Sequence, residues 1–223
     1  MYLKIYKRFA EKYDLVTLLA SLGIEEIWRR SFAREIRKFL GEGPLADIAT
    51  ATGEVVKKIC PRRAYLVDPS PEMLGIATRK LKGSCPTGEF HFLETTGEEV
   101  KFPEPVEIIT LFMAIRNLDN LSKALSNLTS QLKPGGYLGI VELVNRPGLF
   151  GKIGFWYLRR VVPVIGGILT GRREDFYHLS ESVERLRERD LLETVDQVGL
   201  KIVSRRYLFP PIGLFLLCQK GVE

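Results

Sequence analysis

Apolar positions recur along this chain with two different periods, and the change from one to the other divides it. Residues 2–22 and 24–41 carry apolar side chains at helical spacing; in the second stretch Ile24, Ile27, Trp28, Phe32, Ile36 and Phe39 form one stripe. Two amphipathic helices are predicted ahead of the first strand. From there on, short apolar runs alternate with helical patterns: LADIA at 45–49, AYLVD at 64–68, EFHFLE at 89–94, VEIITLFM at 106–113 and YLGIVEL at 137–143. Strand runs separated by helices predict βαβ units around a parallel sheet.

The punctuation agrees with that division. Ser70 followed by Pro71 predicts a helix through Leu81, and Asp119 predicts another that ends at LKPGG, where Pro134 and the glycines stop it. Residues 149–169 hold glycines and Pro163, which predict broken helices and loops; a charged helix is expected from Glu181 to Val198. Two further strands, LKIVSRRYL and GLFLLCQK, flank PPIG and predict a hairpin with an antiparallel edge.

Composition narrows the class. The 223 residues are 45% hydrophobic, enough for one domain with helical additions, here 1–41 as N-terminal helices and 144–180 as a lid over substrate. Lys and Arg exceed Asp and Glu by 33 to 27, a modest surplus that suits an anionic surface or ordinary solubility. The three cysteines, Cys60, Cys85 and Cys218, have no close spacing, so no disulfide framework and no metal cluster is expected, and a reducing, cytoplasmic setting follows. The amino terminus lacks the apolar core of a secretion signal, and VVPVIGGILT falls short of the roughly 20 residues that span a bilayer.

The chemistry concentrates after the first two strands. DIATATGE, from Asp47 to Glu54, links a strand to a helix, where small residues let a ligand approach the backbone. Its single glycine makes it a poor match to a dinucleotide turn. Asp68 ends the next strand, 21 positions after Asp47, where an acid can bind both hydroxyls of a ribose; capping the helix that follows is its other reading. Asp47 would then face an amino group, so the pair suits a nucleoside joined to an amino acid.

Nearly the whole chain resembles the ubiquinone and menaquinone biosynthesis C-methyltransferases. FAEKYDLVTLLASLGIEEIWRR (9–30) looks like their N-terminal signature, with Tyr13, Asp14, Gly23, Trp28 and Arg29 as matching residues. LADIATATGE (45–54) is similar to their L-D-L-A-G-G-T-G-D loop, LVDPSPEML (66–74) to their ribose-binding turn, AIRNLDN (114–120) to G-L-R-N-V, and LKPGGYLGIVEL (132–143) to their last parallel strand. VVPVIGGILTG and YHLSESV resemble later stretches of the family. Two positions depart: Thr50 and Ala51 replace paired glycines, and Thr96-Gly97 replaces Asn-Ala or Asp-Ala near the adenine.

The resemblance implies an α/β, Rossmann-like sheet of seven strands, parallel except for one, that binds S-adenosylmethionine (SAM). Asp47, Ala49, Ala51, Gly53, Asp68, Pro69, Met73, Thr96, Gly97 and Phe112 become the expected cofactor residues. Substrate, a lipid hydroquinone methylated on ring carbon, is expected over the fourth and fifth strands. Arg116 and Asn117 stand there, with a water held in the site, Glu142 or His178 to remove a proton; Arg116 could instead pair with Asp119 or Glu142. No nucleic-acid partner is expected, whereas a homodimer and a peripheral contact with the inner face of a membrane are. The membrane contact is read from Phe150, Ile153, Phe155, Trp156 and Tyr157 beside Lys152, Arg159 and Arg160. Other readings are a methyltransferase for another small molecule and a binding protein without turnover.

Overall fold

Strand residues with both faces covered must be mostly apolar, and in the middle of this sheet they are, with Asp47, Glu107, Thr110 and Glu142 among the buried exceptions. The computed structural model describes residues 10–144, 148–209 and 212–222. Its strands are β1 (Leu45–Ile48), β2 (Arg63–Val67), β3 (Glu89–Leu93), β4 (Val106–Phe112), β5 (Leu132–Leu143), β6 (Leu200–Leu208) and β7 (Gly213–Lys220), in the order β3-β2-β1-β4-β5-β7-β6. β1 and β4 are buried at every position. Alternation sends Leu45, Ile108, Phe112 and Phe215 to one face and Ile48, Ile109, Leu111 and Leu216 to the other, so two cores form.

The first core is covered by α1 (Tyr13–Ala20), α2 (Ile24–Arg37), α3 (Glu54–Ile59) and α4 (Pro71–Ser84); the second by α5 (Leu121–Gln131) and α9 (Glu188–Gln197). On α2 the stripe Trp28, Phe32 and Ile36 is buried as the spacing predicts, whereas Ile27 points outward at 66% exposure. Trp28 Nε1 donates to the carbonyl of Phe209 at 2.7 Å, and its ring lies over Gly213, where a Cβ would collide with it. That contact fastens the N-terminal helices to the last two strands. Ser70 caps α4 by accepting from Met73 N at 3.3 Å, with Pro71 in the first turn.

Several expectations need correction. The first helix begins at Tyr13 after a 3-10 turn at Ala10–Lys12, and the predicted residues 2–9 lie outside those described. Asn120 rather than Asp119 caps α5, accepting from Lys123 N at 2.9 Å. The helix ends at Gln131, just before LKPGG as expected, but LKPGG is itself the opening of β5, with a register shift against β4 and Gly135 at φ +73°. The antiparallel strand is β7, one place in from the edge, and β6 beyond it points the same way as the rest; Pro210 and Pro211 of the predicted turn lie outside the described residues.

The segment 149–170 is more regular than expected. α6 (Leu149–Arg160) and α7 (Val162–Thr170) meet at Val161, where Pro163 can only begin a new first turn. Together they form a run of 22 residues that by length and composition alone could cross a membrane; α7 packs on α1, and α6 on α8 (Tyr177–Arg185). The charged helix predicted from Glu181 to Val198 is instead α8 and α9, separated by extended Leu186 and Arg187. Leu186 packs against the second core, and that burial outweighs local helix preference.

Cys60 and Cys85 form a disulfide, contrary to the expectation of three free thiols, with only Cys218 free and buried. Cys60 ends α3 and Cys85 ends α4; the packing of those two helices brings their Cα atoms within 5.8 Å, a proximity that a 25-residue separation does not reveal.

Candidate functional site

The β1–α3 loop carries three residues at positive φ: Ala49 (+52°), Ala51 (+48°) and Gly53 (+76°). Only glycine adopts that region without steric cost, so the two alanines must be held there. They are. Thr50 N donates to Val67 O at 3.0 Å, Ala51 N to Asp68 Oδ2 at 2.9 Å, and Gly53 N to Thr50 O at 2.9 Å. Thr52 Oγ1 reaches Asp14 Oδ1 at 2.6 Å and ties the loop to α1, where Asp14 also meets Lys80. Gly53 allows α4 to approach, since a Cβ would come to 3.0 Å from that of Ala77.

Above this loop lies a cavity of about 220 Å³ at the carboxyl ends of β1, β2 and β4. Asp47, Ala49, Ala51, Asp68, Pro69, Met73, Thr96, Gly97, Phe112 and Asn117 all reach its wall. Gly53 stands behind it as the loop's last turn. Gly97 leaves room beside Ile48, whose Cγ2 would be 3.1 Å from an added Cβ.

Both acids expected at the site are buried. Asp47 accepts from the hydroxyls of Thr50 and Thr110, each at 2.6 Å, so the threonine that replaces a family glycine helps to orient it. Loss of water raises its pKa from 3.8 to about 6 against those hydrogen bonds. Asp68 accepts from Ser70 N through Oδ1 and from Ala51 N through Oδ2, both at 2.9 Å, and burial raises its pKa as well. Each carboxylate oxygen has a further lone pair, so these bonds leave Asp68 able to accept from a ribose while it holds the loop.

Of the expected catalytic residues, Asn117 reaches the wall, whereas Arg116 and Glu142 do not. Arg116, in the 3-10 turn Ile115–Asn117, forms an ion pair with Glu142 on β5; both side chains are buried, Glu142 completely, and neither reaches the cavity wall. Glu142 also accepts from Arg116 N at 3.2 Å and Leu143 N at 2.8 Å. The pairing reading of Arg116 therefore describes its geometry. His178 lies on α8 with its side chain outside the described residues.

Three wall residues come instead from the N-terminal helices: Tyr13, Glu25 and Arg29. Arg29 pairs with Glu25 and lies 3.6 Å from Glu26, and its guanidinium sits 5.3 Å from the centre of the Phe112 ring. Tyr13 and Arg29 are among the residues that match the family's N-terminal signature, the one signal that could have marked them; helical periodicity by itself makes them surface positions. The charged side chains of the wall are Glu25, Asp47, Glu54, Asp68, Glu98 and Asp119 against Arg29. An acidic wall in a chain of net charge +6 suits a cationic ligand, and the sulfonium and ammonium of SAM are such charges.

Comparison with known proteins agrees. A demethylmenaquinone methyltransferase of Thermotoga maritima is 30% identical over 222 residues, covering 96% of this chain and 94% of the relative. A ubiquinone/menaquinone biosynthesis C-methyltransferase of Geobacter sulfurreducens is 34% identical over 227 residues, covering 98% and 88%. Among solved structures, a SAM-dependent methyltransferase from Thermotoga maritima superposes with a TM-score of 0.67 at 18% identity, over 99% of this chain and 100% of that one. The N-methyltransferase NodS from Bradyrhizobium japonicum, solved with S-adenosylhomocysteine, gives 0.57 at 13%, over 80% and 78%. These two show a common fold. The family model of the ubiE/COQ5 methyltransferases matches residues 2–210, and the chain belongs to that family of SAM-dependent methyltransferases.

Proposed function

We propose that this enzyme methylates a ring carbon of a polyprenylated hydroquinone, and that it does so in peripheral contact with a membrane. The observation that carries the acceptor class is similarity over nearly the full chain to relatives named for demethylmenaquinone and ubiquinone/menaquinone methylation. SAM supplies an electrophilic methyl group when bound. The residues of the wall bind and align: Asp68 and the β1–α3 loop would hold the nucleoside, Asp47 the ammonium, and Phe112 the boundary between cofactor and acceptor. Alignment and exclusion of water supply most of the rate in such a reaction, because the methyl donor is already activated.

The membrane reading rests on the outer surface of α1, α6 and α7. Leu18 and Leu22 of α1 and its following turn, Ile153 and Trp156 of α6, and Ile168 of α7 are exposed. Leu149–Thr170 contains Lys152, Arg159 and Arg160 and no acid. Apolar side chains beside unopposed cations suit an anionic lipid surface. A test of both readings offers the enzyme radiolabelled SAM and a demethylmenaquinol in phosphatidylglycerol vesicles. Label is expected in the quinol ring, with cosedimentation lost at high salt and reduced severalfold by Trp156→Ala with Arg159→Glu. Label in other molecules but none in the quinol overturns the acceptor; cosedimentation unaltered in the double variant overturns the surface.

A further inference from the structure

We infer that Glu25 is the group that accepts the acceptor's phenolic proton, an inference that rests on the hydroquinone reading above. Of the groups expected for this task, Glu142 is fully buried in its pair with Arg116 and off the cavity wall, and the side chain of His178 lies outside the described residues. Among carboxylates on the wall, Asp47, bound by two threonine hydroxyls, and Asp68, bound by two backbone amides, would give their remaining lone pairs to the cofactor's ammonium and ribose. Glu54 is paired with Lys57, Lys58 and Lys80, which hold its pKa below the usual value. Glu98 accepts from the amides of Asp119 and Asn120, and Asp119 is exposed. Glu25 differs from all of these. Its Oε1 is held by Arg29, while its Oε2 accepts no hydrogen bond among the described residues.

The setting suits a base. Glu25 lies on α2 and on the wall of the cavity that the β1–α3 loop also lines, with its side chain only 16% exposed. Burial raises its pKa, opposed by Arg29 and Arg116 and assisted by Asp14 and Glu26. A carboxylate moved toward neutrality accepts a proton more readily near physiological pH. Arg29 fixes one oxygen and so aims the other.

The balance of the step is simple. Glu25 takes the phenolic proton as the ring becomes electron-rich; the ring carbon forms its bond to the methyl, and the broken methyl–sulfur bond leaves its electron pair on sulfur. The hydrogen on the methylated carbon then departs as a proton and the oxygen is reprotonated, so that one proton in total reaches solvent through Glu25.

The test uses Glu25→Gln and Glu25→Asp in the full chain, with a short-chain demethylmenaquinol analogue and its more acidic ring-fluorinated counterpart. Glu25→Gln is expected to lower kcat roughly a hundredfold and to remove the acid limb of its pH profile, with Tm near that of wild type and SAM affinity lowered no more than severalfold. Glu25→Asp should recover part of the loss. The fluorinated acceptor should lose less, because a more acidic phenol needs less help. A carboxylic-acid infrared band that titrates in wild type should vanish in Glu25→Gln. An unchanged kcat and pH profile overturns the inference, and so does a loss of turnover matched by equal losses in SAM affinity and Tm. Failure of wild type itself to methylate any quinol overturns the functional reading and the inference together, and is seen before any variant is made.

Discussion

Ala51 is held at φ +48° by a hydrogen bond that its amide donates to Asp68, in a conformation that costs an alanine about 1 kcal/mol more than a glycine. Ala51→Gly is therefore expected to raise Tm by roughly 1 to 4 °C and to tighten SAM binding, read by calorimetry on both variants. A weaker SAM complex would mean that the methyl group contacts the cofactor favourably. Asp47 illustrates an opposite cost. Its pKa is about 6 in the fold against 3.8 outside it, so between those values the folded chain holds a proton that the unfolded chain has released. The stability of the neutral form is thus full below pH 3.8 and lost as pH rises through 6, on the order of 3 kcal/mol at most. Asp47→Asn should gain Tm relative to wild type at pH 7.5 but not at pH 4, while its SAM affinity falls at least tenfold. A relative Tm that does not vary with pH would contradict the burial of an ionised Asp47.

At the scale of elements, the 3-10 turn after β4 is locked to β5 by Arg116 and Glu142, and the lock holds the Arg116 side chain against Glu142 and off the cavity wall. A buried pair that loses one partner leaves the other charge without compensation, at about 3 to 5 kcal/mol. Arg116→Met should show that loss in urea unfolding, and adding Glu142→Gln should restore part of it. Stability equal to wild type with turnover abolished would return Arg116 to the catalytic group. The same logic of packing over local preference separates α8 from α9, where Leu186 joins the core and ends a helix that the charge pattern would have continued.

Across the whole molecule, charge is distributed unevenly: the chain carries +6, yet six carboxylates and one guanidinium line the cavity. SAM has one positive charge more than S-adenosylhomocysteine, so ionised Asp47 and Glu25 favour the substrate form over the product form. Both acids have raised pKa values, and their protonation on acidification removes that preference. The ratio of SAM to S-adenosylhomocysteine affinity should rise severalfold from pH 5.5 to 7.5 in calorimetric titrations. A ratio constant over that range would show that the wall does not sense the sulfonium.

Local pattern determined much of this protein. Period-two and period-3.6 spacing located the strands and the buried stripe of α2, Ser70-Pro71 marked the start of α4, and the spacing of Asp47 and Asp68 anticipated two acids at neighbouring strand ends. These features are legible because they depend on residues a few positions apart. Tertiary structure decided the rest. The approach of α3 to α4 paired Cys60 with Cys85, and the register of β4 against β5 put Glu142 under Arg116. Folding α1 and α2 over the sheet carried Tyr13, Glu25 and Arg29 to the cofactor loop. No local period encodes such contacts, because they join residues from tens to nearly two hundred positions apart and form only when the buried faces of several elements meet.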